Sequence, residues 1–300
     1  MKSDIYEGIT ARVVQQLEAG TVPWRKPWSG GPSGHPRNLA SQRPYRGVNV
    51  FLLGCSPFEL PFWLSFRQAR ALGGHVRRGE KATLIVFWRW LEREDGETGE
   101  LRRFPLLRQF SVFNVEQCEL PPGTVPSLPD VSPREFEAID ACERIVAGMP
   151  DPPTILHGGA EALYRPATDT VRVPEPERFD SAETYHATMF HELVHATGHS
   201  SRLNRPEVTG DIRFGTRDYS REELVAEMGA AFLCGHAGID NAVIESSAAY
   251  IAGWLTRLRG DKRLVVHAAA AAQKAADYVL GRQFDSENER EDSSQLAANS

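Results

Sequence analysis

The chain has 300 residues, which is enough for two domains of ordinary size. Its 41% hydrophobic and 25% charged residues are typical of a soluble globular protein, and no apolar run is long enough to cross a membrane. The N-terminus lacks a signal-peptide core, and the four cysteines are scattered without CxxC spacing. We therefore predict a cytoplasmic protein with reduced thiols and no membrane partner.

The charge is unevenly divided along the chain. Residues 1–120 carry 17 Lys and Arg against 12 Asp and Glu, whereas the remainder carries 17 against 28. The net charge of −6 therefore hides a basic first half beside an acidic second half. A basic half of this kind indicates a nucleic-acid-binding surface.

The first half opens with apolar residues at helical spacing, which predict a helix over 3–19 that ends at Gly20. Beyond it, between residues 22 and 81, aromatic residues alternate with arginines and lysines. Aromatic rings stack on unpaired bases, at about 1–3 kcal/mol per base, while cations follow the phosphates. A duplex exposes no base faces, so this mixture favours single strands. The alternative, that the aromatic residues are core and the arginines a solvated surface, fits the composition equally well.

The candidate DNA contacts lie in several short segments of this region. They are Trp24, Arg25, Lys26, Trp28, Arg43, Tyr45, Arg46, Asn49, Arg67, Gln68, Arg77, Arg78 and Lys81. The continuous apolar run over 82–91 instead predicts a buried strand.

A proline-rich stretch, 121–133, marks a predicted linker between two domains. We place the first domain at 1–120 and the second at 134–284. The acidic tail, 285–300, is nearly free of large apolar residues and is predicted to be disordered.

The second half alternates helical patterns with one short hairpin. The predicted elements are a helix from Ser132 to about Val146, a hairpin over 161–174, and helices over 242–258 and 264–280. The edge of such a hairpin can pair with an extended peptide, which makes it a candidate substrate-binding edge.

The most informative motif is HExxH, formed by His191, Glu192 and His195. On a helix, positions i and i+4 lie one above the other, so both imidazoles project from one face and can share a Zn²⁺ ion. Glu192 occupies the position of a general base, which would take a proton from water activated by the metal. A capping signal at 180–183 and a glycine at 198 bound the predicted helix.

A third metal ligand is needed, and some candidates are weak. His199 lies roughly 12 Å from His191 along a continuous helix, which is too far to share one ion. Asp211 and Asp218 have the character of turn residues.

A stronger candidate lies in the helix predicted over 219–232. Glu223 and Glu227 share one face of this helix, and buried carboxylates need a partner or a metal. The pair resembles the second ligand helix of the gluzincins, which implies that Glu223 is the ligand and that Glu227 orients a ligand histidine. However, Ser220 could cap this helix and engage Glu223, which would leave Glu227 as the ligand.

Taken together, the motifs resemble the ArdC antirestriction family over about residues 3–280. In the first half the matching strings are PWRKPW at 23–28, RPYRGVN at 43–49, WLSFRQA at 63–69, GGHVRRGEK at 73–81 and VFNVEQ at 112–117. In the second half they are FHELVHATGHSSRLNR at 190–205 and YSREELVAEMGAAFL at 219–233. The resemblance implies a two-domain α+β protein with a basic, single-stranded-DNA-binding domain and a zincin-like metallopeptidase domain. It also implies a protein of plasmids and other mobile elements that shields DNA arriving by conjugation from host restriction.

Two hypotheses of different class follow. In the first, the protein is a metal-dependent peptidase that uses DNA to reach a host DNA-associated protein, such as a restriction enzyme. In the second, it coats single-stranded DNA or assists a primase, and its metal site is structural or regulatory. The complete HExxH motif favours an enzyme, because a structural site has no use for Glu192. The ligands His191, His195 and Glu223 predict one divalent ion, with Zn²⁺ preferred and Mn²⁺ or Co²⁺ as alternatives.

Overall fold

The computed structural model describes residues 4–24, 35–94, 101–127, 135–210, 217–239 and 248–282. Helices and β-sheets both contribute to it, which confirms the predicted α+β class. The predicted tail, 285–300, and residues 128–133 of the predicted linker fall outside these ranges. Within the described ranges, no helix is long and apolar enough to cross a bilayer.

The first half combines short helices with a mixed sheet. Its elements are α1 (Ile5–Glu18), β1 (Arg37–Asn38), α2 (Val48–Gly54), β2 (Phe62–Leu64), α3 (Phe66–Ala71), β3 (His75–Val76), β4 (Thr83–Glu94), β5 (Leu101–Asn114) and β6 (Cys118–Glu119). The sheet has the strand order β1-β2-β5-β4, with β1 parallel to β2 and the other neighbours antiparallel. The strand predicted over 82–91 is confirmed from Thr83 onwards as part of β4, which pairs with β5 from Thr83 opposite Val112 to Glu94 opposite Leu101. It is not buried on both faces, because Leu84 is 42% exposed.

The second half is mainly helical. Its elements are α4 (Glu135–Ala147), β7 (Thr154–His157), β8 (Leu163–Arg165), β9 (Thr170–Val173), α5 (Ala182–Ala196), α6 (Pro206–Thr209), α7 (Arg217–Ala237), α8 (Ala248–Gly260) and α9 (Leu264–Val279). The predicted hairpin is confirmed by the antiparallel pairing of β8 with β9, and β7 lies parallel to β9 on its other side. Both β7 and β8 are therefore edges of this small sheet.

The two halves share one hydrophobic core. Phe51 of α2 stacks on Phe232 of α7 with ring centroids 5.0 Å apart, and Trp24 meets Trp254 of α8 edge to face at 5.9 Å. The buried face of α1 joins the same cluster of side chains as α8 and α9. The N-terminal residues therefore pack directly on the helices of the second half. The predicted domain boundaries stay a prediction.

The helix that carries HExxH, α5, is bounded by local signals. Ser181 is its N-cap, because the Ser181 hydroxyl accepts the backbone N–H of Thr184 at 3.2 Å. The capping signal predicted at 180–183 is thus displaced by one residue. The helix ends at Ala196, two residues before Gly198. A Cβ atom on Gly198 would lie 2.4 Å from a Val208 methyl, so only glycine lets the following loop pack this closely.

Small residues bring the metal-site helices together. A Cβ atom on Gly229 of α7 would lie 2.8 Å from both methyl groups of Val194 on α5. On the other side of α7, the buried face of α9 consists largely of alanines. Helix axes approach closely where side chains are this small. The close crossing of α5 and α7 positions the candidate site described next.

Candidate metal centre and nucleic-acid surface

Three side chains from two helices converge on one point. His191 and His195 are one turn apart on α5, and Glu223 faces them from α7. The two Nε2 atoms are 3.1 Å apart, and the Glu223 carboxylate oxygens lie 3.7 Å from His191 Nε2 and 3.6 Å from His195 Nε2. Atoms bound at about 2.0–2.1 Å around a tetrahedral Zn²⁺ ion lie roughly 3.4 Å apart. The donor set therefore fits a single divalent cation.

The protonation of these side chains shows how strongly they interact. Burial by itself would lower the pKa of His195, but hydrogen bonding to Glu222 and the charges of Glu222, Glu223 and Glu192 outweigh it and raise that pKa to about 9. Burial opposes ionisation of Glu223, yet hydrogen bonding to His191 and the charge of His195 lower its pKa to about 2. Without a metal, His195 is therefore protonated at neutral pH. A metal ion must displace that proton.

Glu222 holds His195 in place. The Glu222 carboxylate lies 3.1 Å from His195 Nδ1, which directs His195 Nε2 towards Glu223. Arg205 binds the same carboxylate through Nε at 3.0 Å and Nη2 at 2.6 Å, and it also donates to the Thr197 hydroxyl and the Val194 carbonyl. Both Arg205 and Glu222 are buried. The histidine is thus oriented by a carboxylate that is itself fixed by a buried cation.

The prediction that Glu227 orients a histidine was wrong, because Glu222 does so. Glu227 instead accepts hydrogen bonds from the Trp24 indole, at 2.8 Å, and from the Tyr250 hydroxyl. Burial raises the pKa of Glu227 to about 7, and the hydrogen bonds from Tyr250 and Trp24 and the charge of His191 only partly offset this. One feature of the sequence could have drawn attention to Glu222. Glu222, Glu223 and Glu227 lie within six positions of one helix and cannot all face the same ion, so at least one of them must have another role.

The remaining candidates for the third ligand lie elsewhere. Ser220 is inside α7, three residues after its start, and its hydroxyl accepts from Arg257 at 2.9 Å. Ser220 is therefore not the N-cap. The alternative in which Ser220 engages Glu223 and leaves Glu227 as the metal ligand is wrong. His199 contacts Ser201 instead of the metal ligands. Asp211 and the Asp218 side chain lie outside the described residues.

Two further side chains border the metal ligands. Glu192 is buried on α5 directly after His191, and its charge acts on both His195 and Tyr219. Burial, together with the charge of Glu223 and a hydrogen bond to it, raises the pKa of Tyr219 to about 12. The Tyr219 hydroxyl thus keeps its proton and is a donor beside the ligand carboxylate. An acid and a hydroxyl donor of this kind suit hydrolysis better than a purely structural site.

Several predicted DNA contacts are parts of the interior. Trp24, Tyr45, Asn49 and Gln68 are all buried. Asn49 binds the backbone of Val86 in both directions, at 2.7 and 2.8 Å. Gln68 completes the capping box of α3, and Trp24 binds Glu227. These four side chains are committed to packing and internal hydrogen bonds, so their assignment to DNA was wrong.

The predicted cations behave differently from the aromatic residues. Arg67, Arg77, Arg78 and Lys81 are exposed, although Arg77 binds Glu80 and the Glu116 carbonyl. Arg46 pairs with Asp277 of α9, and Arg43 is half-buried. Arg25, Lys26 and Trp28 lie outside the described residues.

One exposed aromatic ring was missed in the sequence. The Phe66 side chain is 49% exposed, and the Arg70 guanidinium lies 5.8 Å from its ring centroid. Its position directly before Arg67, at the first turn of α3, was the available signal. The first half thus offers an exposed ring among cations at α3, whereas Trp24 and Trp63 are buried.

Comparison with known proteins matches both halves. Residues 3–113 match the family described as the N-terminal domain of anti-restriction factor ArdC, and residues 142–271 match the zincin-like metallopeptidase family. The protein y4eC of Sinorhizobium fredii is 36% identical over 95% of this chain and 94% of its own length. The DNA primase TraC of Escherichia coli is 35% identical over 99% of this chain, which spans only 29% of that protein.

Solved structures show the same similarity. The metal-free crystal structure of the antirestriction protein ArdC from plasmid R388 superposes with a TM-score of 0.73 at 35% identity, covering 94% of this chain and all of that one. The Mn(II)-bound structure of the same protein also gives a TM-score of 0.73, at 34% identity, covering 93% of this chain and 97% of that one. At this identity and coverage, the likeness extends to the family as well as the fold.

Proposed function

The chain belongs to the ArdC family of antirestriction proteins, and from this premise we propose that it combines single-stranded-DNA binding with peptidase activity. The first half binds the DNA, and the metal site of the second half cleaves a host protein associated with that DNA. We also propose domains at 1–120 and 134–284, joined by a linker at 121–133 and followed by a disordered tail at 285–300.

The convergence of His191, His195 and Glu223 is the observation that carries the enzymatic part. We assign one divalent ion to these residues and prefer Zn²⁺, because two imidazoles and one carboxylate are a common catalytic zinc set. The Mn(II)-bound relative supports a divalent ion without deciding which one. When bound, such an ion supplies Lewis acidity, which polarises a carbonyl and lets water react near neutral pH.

The surrounding residues have separate roles in this proposal. Glu192 is the general base, because it is buried next to His191 and its charge acts on the ligand His195. Glu222 and Arg205 keep His195 oriented. The Tyr219 hydroxyl donates towards Glu223 and is placed to donate to a substrate oxygen near the same ligand.

The DNA-binding part rests on charge and exposure. Cations outnumber acids in the first 120 residues, and several of them are exposed around α3 and the β3–β4 connection. Phe66 supplies an exposed ring among these cations. Phosphate contacts of this kind make binding tolerant of sequence and strongly dependent on salt.

The decisive experiment compares wild type with Glu192→Gln in a restriction-protection assay in cells. Glu177→Gln is the matched control, since it removes an exposed carboxylate just before α5. Loss of a general base typically lowers catalysis by about 10²–10⁴-fold, so we expect Glu192→Gln to abolish protection and Glu177→Gln to retain it.

Two measurements on the purified variants are required alongside. Metal content and single-stranded-DNA affinity of Glu192→Gln should equal those of wild type. Full protection by a Glu192→Gln protein that binds metal and DNA normally would contradict a proteolytic role. It would instead favour protection by coating the DNA.

A further inference from the structure

A broad groove of about 970 Å³ lies between α1, the turn that follows α2, and the connection from β3 to β4. Arg12 and Gln15 line it from α1, Phe58 from the turn, Lys81 from the connection and Thr83 from the start of β4. Its volume is at the upper end of the range for small-ligand pockets, about 300–1,000 Å³, and it is open rather than enclosed. Such a shape suits a stretch of polymer that passes through.

The charges that face this groove favour an anion. Arg12 is half-buried, and burial lowers the pKa of its guanidinium; among the described residues no carboxylate pairs with it. Lys81 is exposed and likewise has no acidic partner in the described part of the chain. The one acid on the lining is Glu80, and it is already bound by Arg77 and Gln117.

The groove also offers an aromatic ring. Phe58 is half-buried, and it rests edge to face on Trp63 with ring centroids 5.7 Å apart. A ring fixed in this way can stack on a base without first being ordered, and stacking is tolerant of base identity. A duplex has no free base face to offer it.

Gly8, in the first turn of α1, also lines the groove. Glycine is among the poorest residues for a helix interior. Packing gives no reason for it, because a Cβ atom at Gly8 would meet no described atom within 4 Å. A glycine on an open helical surface lets another molecule approach the backbone closely.

We propose that single-stranded DNA lies in this groove, with phosphates on Arg12 and Lys81, a base against Phe58, and the strand close to the backbone at Gly8. The proposal rests on the proposed DNA-binding function and gives it a location. Of the predicted DNA contacts that the structure describes, only Lys81 lines the groove.

The test measures anisotropy of a labelled oligothymidylate of about 16 nucleotides, within the range of single-strand site sizes, over a series of salt concentrations. Losing one phosphate contact should lower the slope of log affinity against log salt by about 0.7. We expect this for Arg12→Gln and Lys81→Gln, with at least about tenfold weaker binding for Arg12→Gln. Phe58→Leu should weaken binding by roughly five- to a hundredfold and leave the slope unchanged. Arg165→Gln, which removes an exposed arginine of β8, is the control for charge.

Gly8→Ala separates a binding role from a folding role. Alanine favours the helix, so this variant should melt at a higher temperature than wild type and yet bind the oligonucleotide more weakly. If wild type binds with a clear salt slope but Arg12→Gln and Lys81→Gln match Arg165→Gln, the groove is wrong and the DNA-binding function stands. If wild type does not bind the oligonucleotide, both the assignment of the groove and the proposed DNA-binding function are wrong.

Discussion

Two glutamates in buried regions of α7, Glu222 and Glu227, have surroundings that shift their pKa values in opposite directions. Glu222 is bound by the guanidinium of Arg205 and by His195, and these contacts lower its pKa although burial opposes them. Glu227, five residues later, is bound by the neutral donors Trp24 and Tyr250, and burial raises its pKa to about 7. Burial alone therefore does not decide the charge of a carboxylate. The charge of the groups that bind the carboxylate also decides it.

The difference also separates two tasks. The charged region at Glu222 fixes the orientation of His195, a proposed metal ligand. The neutral region at Glu227 joins the N-terminal Trp24 to the same helix, one turn after the ligand Glu223. Helix α7 is thus held by charged contacts at Glu222 and by neutral hydrogen bonds and packing at Glu227.

The largest effect is expected for Arg205→Met, which removes the cation and leaves Glu222 buried. Breaking a buried ion pair by deleting one partner costs about 3–5 kcal/mol, because the remaining charge has no compensation. Urea unfolding in the presence of a chelator should show this loss. The control is Arg259→Met, which removes an exposed ion pair with Glu18 and should cost at most about 1 kcal/mol. Equal losses in the two variants would contradict a special role for Arg205.

The second prediction uses pH to distinguish the two carboxylates in metal-free protein. The folded pKa of Glu227, about 7, is above its ordinary value of 4.5, so folding favours the protonated acid. Its contribution is full below about pH 4.5 and is lost as pH rises through about 7, an effect of roughly 3 kcal/mol. The stability of wild type relative to Glu227→Gln should therefore fall between pH 5 and pH 8.

Glu222 should show the opposite sign. Its folded pKa is lowered, so its contribution is present above its ordinary pKa and is lost as pH falls. Glu222→Gln should be more destabilising at pH 7 than at pH 4. If both variants changed with pH in the same direction, the proposed contrast between the two regions would be wrong.

This contrast marks the limit of what the sequence could predict. The spacing of His191 and His195 predicts a shared face, and Glu223 follows from the likeness to a known ligand helix. The choice between Glu222 and Glu227 depends on how α7 is rotated against α5. That rotation is set by Gly229 against Val194 and by Arg205, which reaches Glu222 from a loop 17 residues away. Neither contact has a local pattern.

The proposed DNA-binding surface was harder to predict for a related reason. Alternating aromatic and cationic residues are typical of a segment at the boundary of a core. The pattern does not predict which aromatic side chains are buried and which face solvent. In this fold Trp24 and Tyr45 are buried, whereas Phe66 is exposed. Arg12 was not among the predicted DNA contacts, because the pattern that predicts α1 consists of its apolar residues alone. Phe58 and Lys81, which share the groove with Arg12, are 46 and 69 positions away in sequence.

The smallest predicted effect is that of Tyr250→Phe, which removes one donor to Glu227 and keeps the ring. A neutral hydrogen bond contributes about 0.5–1.5 kcal/mol, and a bond to a charged group about 1.5–3, so we expect a loss of about 1–2 kcal/mol. The Tyr250 hydroxyl lowers the pKa of Glu227, so its removal should also shift the pH transition attributed to Glu227 upwards. Tyr278→Phe is the control, because Tyr278 makes no described hydrogen bond through its hydroxyl. A loss as large as that of Arg205→Met would mean that the neutral region holds α7 as strongly as the charged one. In that case donor charge would not explain the difference between the two glutamates.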